Sequence, residues 1–134
     1  MSAATSITGL CATVALCFSN AALADAIAVQ CTIDSYSSSY APRPDSFVIM
    51  VDADARTVTT YYGAVSLKIT RKRILGAGPV EDGWQSNVEI DRNTGKFEAS
   101  TDKVDGRKHL YVVLKGVCIL PASLQGPKYT APAG

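Results

Sequence analysis

Few residues in this chain have the chemistry of a catalytic centre. His109 is the only histidine, and hydrolysis by a nucleophile and a base usually requires a histidine close to a serine or a cysteine. The sequence contains no Gly-x-Ser-x-Gly elbow that would present such a nucleophile. His109 follows Arg107 and Lys108 at the start of an apolar run, where an exposed residue at a strand end is the simpler interpretation. We predict no catalytic residue and a protein that is not an enzyme.

The acidic residues do not define a metal or cofactor site. Asp52, Asp54, Glu81 and Asp82 fall in predicted turns, where acidic side chains are common. The spacing of Asp52 and Asp54 matches the start of a calcium-binding loop, but the glycine at the sixth position and the glutamate at the twelfth are both missing. We predict no metal and no cofactor, and a pair of carboxylates brought together by the fold stays open as an alternative.

Two groups of side chains are candidate binding surfaces. A basic run, Arg71, Lys72 and Arg73, fits an anionic partner in the cell envelope, although short basic runs are usually just solvated. An aromatic group would form a patch at one end of the domain, and packing within the fold is the simpler explanation for it. Its members are Tyr36, Tyr40, Tyr61, Tyr62 and Trp84.

Residues 1–24 differ in composition from the rest of the chain. They contain no Lys, Arg, Asp or Glu, they are apolar or small from Ile7 to Phe18, and Ala22 and Ala24 supply the small residues of a signal-peptidase site. The apolar run is shorter than the about 20 residues that a spanning helix requires. We predict that residues 1–24 are a removable export signal, that the mature chain has no transmembrane segment, and that it is periplasmic or secreted.

Removal of this signal takes away Cys11 and Cys17 and leaves Cys31 and Cys118. Outside the cytosol such a pair is expected to form a structural disulfide. Each cysteine shares the period-two alternation of its neighbours, so both sulfur atoms are expected to point inward. The bond would join the first and last strands, and closing a loop of roughly 90 residues is worth about 4.5 kcal/mol in the chain-entropy model.

The overall composition fits one globular domain. The chain has 134 residues, of which 47% are hydrophobic and 19% charged, and its net charge is +1. This charge provides no basic field for a nucleic acid, so we expect no nucleic-acid partner. We predict a single all-β domain over residues 25–122, a monomeric state, and a flexible tail over residues 123–134, where Gly, Pro and Ala are frequent.

Runs of alternating or β-branched residues predict strands throughout the mature chain. They cover residues 29–33, 46–51, 57–62, 65–69, 74–75, 84–91, 96–100 and 109–120. Asn93, Thr94 and Gly95 predict a tight hairpin turn, and residues 35–44 and 76–83 are predicted loops. The expected fold class is all-β, an antiparallel meander of about seven to eight short strands that forms a partly closed barrel or a two-layer sandwich with one disulfide.

Several of these features resemble a group of small exported bacterial proteins of unknown function. They are the signal segment, Cys31, the Ile-Asp-Arg-Asn-Thr-Gly run at residues 90–95 and the Gly-Val-Cys at residues 116–118. The resemblance covers most of the mature chain and implies an exported β protein. Small periplasmic lysozyme inhibitors are also stapled β barrels, but their Ser-Gly-x-x-Tyr type of loop is not evident in this sequence, so that analogy is one of fold alone.

We therefore expect a non-enzymatic binding module for a protein or an envelope component, with residues 35–44 and 76–83 as contact loops. One alternative is a carrier of a small apolar ligand, which would need a barrel interior lined by small residues and an open mouth. A second alternative is a protein similar to lysozyme inhibitors, by analogy of fold only.

Overall fold

The computed structural model describes residues 26–39, 42–44, 47–60 and 63–132, so the predicted signal segment, Tyr40, Tyr61 and Tyr62 lie outside it. In these residues, eight strands follow one another in sequence order around a closed antiparallel barrel. Short 3-10 segments are present at Glu81–Gly83 and Ala122–Leu124. No helix in the described ranges is long and apolar enough to cross a membrane. The strands are β1 (Ala26–Ser38), β2 (Phe47–Asp52), β3 (Thr57–Thr60), β4 (Gly63–Ile69), β5 (Arg73–Pro79), β6 (Gln85–Asp91), β7 (Lys96–Asp105) and β8 (Lys108–Ile119).

The barrel closes where β1 pairs with β8. Cys31 lies directly opposite Cys118 in this pair, and a disulfide joins the two residues across a sequence separation of 87. Both are buried, with exposed fractions of 8% and 0%. The predicted all-β meander and its disulfide are confirmed, and the closure of the sheet decides between the barrel and the sandwich in favour of the barrel.

Side chains that point inward from each strand fill the interior. Most are β-branched, a type that suits the pleated surface of a strand, so the same residues form the strands and pack the core. Phe47 and Phe97 stack with their ring centroids 5.6 Å apart. The buried Val, Ile and Leu residues of the strands are Val29, Ile33, Ile49, Val51, Val58, Val65, Ile74, Val88, Ile90, Val112 and Leu114.

Residues 76–83 were predicted to form a loop, but β5 continues to Pro79, so the first four of these residues belong to a strand. Gly76 and Gly78 lie within this strand and pair with β6. A Cβ atom at Gly76 would overlap the Cγ1 atoms of Val58 and Val88. Val58 belongs to β3, which is separated from β5 by β4, so its side chain reaches this position through the interior. Close packing therefore requires glycine here, although glycine weakens the signal of a strand in the sequence.

The course of β1 corrects the predicted loop over residues 35–44. The strand continues to Ser38, which lies opposite Val112 of β8. Its register shifts between Ile33 and Ser35, and such a bulge interrupts the alternation by which a strand is recognised. Pairing with β8 thus extends a strand that its serine-rich side chains do not indicate.

The segment after β8, which includes the predicted flexible tail of residues 123–134, packs against one end of the barrel in its described part, residues 120–132. Leu124 is 3% exposed, and the hydroxyl of Tyr129 accepts the N–H of Leu120 at 3.2 Å. Thr130 donates its N–H to the carbonyl of Asn93 at 3.0 Å. This end of the barrel also carries the β2–β3, β4–β5 and β6–β7 turns, and we call it the lower end.

Candidate functional site

The described members of the predicted aromatic patch are packed into the fold. Tyr36 on β1 is half-buried against the core, and Trp84, directly before β6, is only 9% exposed. Tyr40, Tyr61 and Tyr62 lie outside the described residues. Both described side chains therefore contribute to packing, which is the simpler of the two interpretations given above.

The predicted basic run is divided between a turn and a strand at the lower end. Arg71 and Lys72 are exposed in the β4–β5 turn. Arg73 begins β5, and its Nη1 lies 2.9 Å from Oε1 of Glu89 on β6. The main-chain carbonyl of Lys72 accepts the N–H of Arg92 at 2.8 Å. Arg73 thus belongs to a different group of charges from its two neighbours in sequence.

His109 lies on the outside of the barrel beside an acid. Its Nε2 is 3.1 Å from Oδ2 of Asp102, and the two side chains are 58% and 48% exposed. The ring of Tyr111 lies 5.9 Å from the imidazole, centroid to centroid. An exposed pair of this kind contributes little free energy and does not exclude water from a substrate. Within the described residues, no group of His, Cys, Asp and Glu side chains is placed to hold a metal ion.

The Ile-Asp-Arg-Asn-Thr-Gly run forms the β6–β7 turn. Oδ1 of Asp91 accepts the N–H groups of Asn93 at 2.8 Å and of Thr94 at 3.1 Å. The hydrogen bond from Asn93 is the main cause that lowers the pKa of Asp91 below its usual value of 3.8. Gly95 has a φ of 79° and donates its N–H to the carbonyl of Asp91 at 2.8 Å. The predicted tight turn, with glycine in the left-handed conformation, is confirmed.

Arg92 of the same turn holds the segment that follows β8. Its guanidinium donates to the main-chain carbonyls of Leu124 at 2.9 Å, Gln125 at 3.3 Å and Thr70 at 2.7 Å. In return, its own carbonyl accepts the N–H of Gly126 at 2.7 Å. The polar groups of the run that carries the resemblance are therefore engaged in the fold at the lower end.

A groove runs along the outer wall across β5 to β8 and reaches Asp34 of β1. Its larger part has a volume of about 410 Å³, and a smaller part of about 280 Å³ continues from it past Ala77, Asn87 and Ser100. Glu89 and Glu98 line both parts. The charged residues that line the larger part are four acids and three bases, namely Asp34, Glu89, Asp91, Glu98, Arg73, Lys96 and Lys115.

Two carboxylates lie side by side at the centre of this groove. Glu89 of β6 is directly opposite Glu98 of β7, and like charges in directly opposite positions destabilise a sheet. Each carboxylate has a cation on its outer side: Arg73 lies 2.9 Å from Glu89, and Nζ of Lys115 lies 3.2 Å from Oε1 of Glu98. The sheet thus holds two negative charges next to each other, with the two cations on the strands that flank them.

Glu89 and Glu98 were not among the predicted site residues, although the sequence contains a signal that pairs them. Both occupy outward positions of the strands that flank the predicted turn, and the register that places the inward residue Ile90 opposite Phe97 also pairs Glu89 with Glu98. The contributions of Arg73 and Lys115 depend on the order of the strands around the barrel, which local patterns do not contain.

Comparison of the chain with protein-family models, with curated proteins and with solved structures found no significant match.

Proposed function

We propose that this protein is an exported, non-enzymatic module that binds a protein partner, and that the groove recognises a basic side chain of that partner. The observation that carries the proposal is the Glu89 and Glu98 pair, held opposite each other where the two parts of the groove meet. A cation placed between two carboxylates is attracted by both and removes their repulsion. The pair therefore favours a lysine or arginine side chain as the bound group.

Both carboxylates remain open to such a group. The side chain of Glu89 is 47% exposed and that of Glu98 is 55% exposed. An ionised carboxylate has about four acceptor positions, of which the ion pairs with Arg73 and Lys115 use only part. A closed barrel offers no free edge for the addition of a strand, which favours recognition of a partner through side chains such as these.

The disulfide supports an exported location. Disulfides form and persist in oxidising compartments and are rare in the cytosol. The bond between Cys31 and Cys118 joins the first and last strands of the barrel, which is a structural position. Together with the predicted signal over residues 1–24, it supports a periplasmic or secreted protein.

The carrier hypothesis and the inhibitor analogy have less support. A carrier needs space inside the barrel, whereas Val58 reaches Gly76 through the interior, and the hydroxyl of Ser86 lies 3.2 Å from those of both Thr60 and Thr101. Thr60 is on β3 and Ser86 is on β6, so this contact crosses the interior at that level. The analogy to lysozyme inhibitors depends on the stapled barrel alone.

Removal of the two negative charges tests the proposal. The purified protein and the Glu89→Gln/Glu98→Gln variant are compared in affinity capture from an envelope extract of the producing cells at about 0.15 M salt. Mass spectrometry then identifies the retained proteins. We expect the wild type to retain a partner and the variant to lose most of it. Each substitution removes both a repulsion and an exposed ion pair, which are each worth less than about 1 kcal/mol, so the barrel should stay folded.

The matched control changes the net charge equally at sites away from the groove. Glu81→Gln/Asp105→Asn alters one exposed residue at Glu81–Gly83 and another at the end of β7. We expect this control to retain the partner. Equal retention by the groove variant would exclude the groove as the binding site. If the wild type retains no protein at all, the proposed binding function itself is wrong.

A further inference from the structure

The groove continues past its two central carboxylates into a part without charge. On the side away from the lower end, the next outward pair is Asn87 of β6, which lies directly opposite Ser100 of β7. Ala77 of β5 is opposite Asn87 on its other side, and all three residues line the smaller part of the groove. We call Glu89 and Glu98 the acidic row, and Ala77, Asn87 and Ser100 the uncharged row.

The uncharged row offers hydrogen-bonding groups on short side chains. Asn87 is exposed and Ser100 is half-buried. An amide and a hydroxyl each carry both donor and acceptor groups. The row is therefore suited to a short polar side chain without charge, or to the main chain of a bound segment.

An apolar side chain lies beside the acidic row. Leu75 of β5 is directly opposite Glu89, is half-buried on the outer wall, and lines the smaller part of the groove. Lysine and arginine have apolar stems and charged heads. A basic side chain whose head lies between Glu89 and Glu98 is thus able to pack its stem against Leu75.

The spacing of the two rows matches that of an extended peptide. Along both β6 and β7 the rows are two residues apart, which is about 6.6 Å at a rise of about 3.3 Å per residue. Side chains on one side of an extended peptide are also two residues apart. A peptide that lies along β6 and β7 would therefore place alternate side chains over the two rows.

We propose that the groove binds an extended segment of the partner, with a basic residue over the acidic row and a short uncharged polar residue two positions away, over the uncharged row. This inference rests on the proposed function and adds a second position to it, with Asn87 and Ser100 as specificity-determining residues. An acid at the second position would be repelled by the acidic row, and a second base would find those carboxylates already occupied.

The other end of the groove selects no charge. Asp91 and Lys96 line it towards the lower end, and they carry opposite charges. Residues of the segment that lie between the two recognised positions point away from the barrel. The segment should therefore be sensitive to charge at only one position besides the basic residue.

An array of immobilised nonapeptides tests this pattern with the purified wild-type protein. Each peptide has a central lysine, serine at the second position on either side, and alanine elsewhere, and glutamate replaces each flanking residue in turn. We expect glutamate at one of the two serine positions to weaken binding by about threefold or more, because it lies about 6.6 Å from the acidic row. Glutamate next to the lysine should have less effect, and alanine in place of the lysine should abolish binding.

A variant of the uncharged row should reverse the preference. With Ser100→Glu, a peptide with lysine at the sensitive position should bind about threefold or more better than one with serine, since a new counter-charge lies beneath it. Ser100→Gln, of similar size but neutral, should keep the wild-type preference. Gln30→Glu adds the same charge on the exposed side of β1, outside the groove, and should also keep it.

The outcomes separate this inference from the proposed function. If every flanking position responds equally to glutamate, if Ser100→Glu leaves the preference unchanged, or if no peptide binds, the extended segment is excluded. The recognition of a basic side chain by Glu89 and Glu98 then still stands or falls with the capture experiment. Binding that does not depend on the central lysine would overturn both proposals.

Discussion

The main-chain carbonyl of Gly95 accepts the N–H of Cys118 at 2.7 Å, so the β6–β7 turn is hydrogen-bonded to the strand that carries the disulfide. Gly95 has a φ of 79°, and a Cβ atom there would overlap the carbonyl oxygen of Cys118. Cys118 is also bonded to Cys31 on β1. The β6–β7 turn is therefore hydrogen-bonded to a residue that closes the barrel.

Gly95→Ala is expected to destabilise the barrel more than an equivalent change in another turn. The left-handed conformation costs a non-glycine residue about 1–2 kcal/mol, and at this position the overlap with Cys118 is added. Gly106→Ala is the control, because Gly106 has a φ of 64° and nothing within 4 Å of an added Cβ atom. Urea denaturation should show that Gly95→Ala loses more free energy of unfolding by about 1–3 kcal/mol. Equal losses would mean that the turn moves away from β8 without cost.

Removal of the disulfide by Cys31→Ala/Cys118→Ala should lower the free energy of unfolding by about 2–5 kcal/mol. The bond spans 87 residues, so its loss frees a long loop in the unfolded state. Denaturation of the variant and of the oxidised wild type gives the difference directly. A variant as stable as the wild type would show that hydrogen bonding between β1 and β8 is sufficient for closure.

The sequence predicted the parts of the fold that have strong local signals. The β6–β7 hairpin follows from alternation around Asn93 and Gly95, and the disulfide follows from two cysteines on inward positions of strands. The local sequence did not indicate strands where contacts between residues distant in the sequence determine the structure. Gly76 lies in a strand because β5 pairs with β6, and glycine is required there because Val58 leaves no room for a side chain. Ser38 lies in a strand because β8 pairs with it.

The candidate site was less accessible to sequence reasoning than the fold. Glu89 and Glu98 could be paired from the hairpin register, but Lys115 follows Glu98 by 17 positions, so no local pattern connects their charges. The basic run, in contrast, was recognised because its members are adjacent in sequence, and only Arg73 of the three contributes to the groove. Proximity in the sequence was therefore a poor guide to which charges act together.

Asp91→Asn should reduce the amount of folding stability that the protein loses as the pH is lowered. Because the N–H of Asn93 holds the carboxylate, the folded-state pKa of Asp91 lies below its usual value of 3.8. A group with a lowered folded-state pKa contributes stability that is fully present above about pH 4 and is lost as the pH falls through the folded-state value. Urea midpoints measured from neutral pH downward should fall more steeply below about pH 4 in the wild type than in the variant. Identical slopes would contradict this role of Asp91.

Ser86→Ala is expected to lower the free energy of unfolding by about 1–3 kcal/mol. Ser86 is 1% exposed, and its hydroxyl lies 3.2 Å from the hydroxyls of Thr60 and Thr101, so the substitution removes one partner from each of two buried groups. Ser100→Ala, on the outward side of β7, should change stability by less than about 0.5 kcal/mol. If the two variants are equally stable, water replaces the lost hydroxyl and the interior at this level is accessible.

Arg92→Met should loosen the segment after β8 while the barrel stays folded. The substitution keeps most of the apolar stem but removes three hydrogen bonds to the carbonyls of Leu124, Gln125 and Thr70. A segment that opens separately from the rest exchanges its amide hydrogens faster without global unfolding. Hydrogen exchange should therefore accelerate over residues 120–130 and remain unchanged in β6 and β8. Lys72→Met in the exposed β4–β5 turn is the control, and unchanged exchange in both variants would show that burial of Leu124 is sufficient to hold the segment in place.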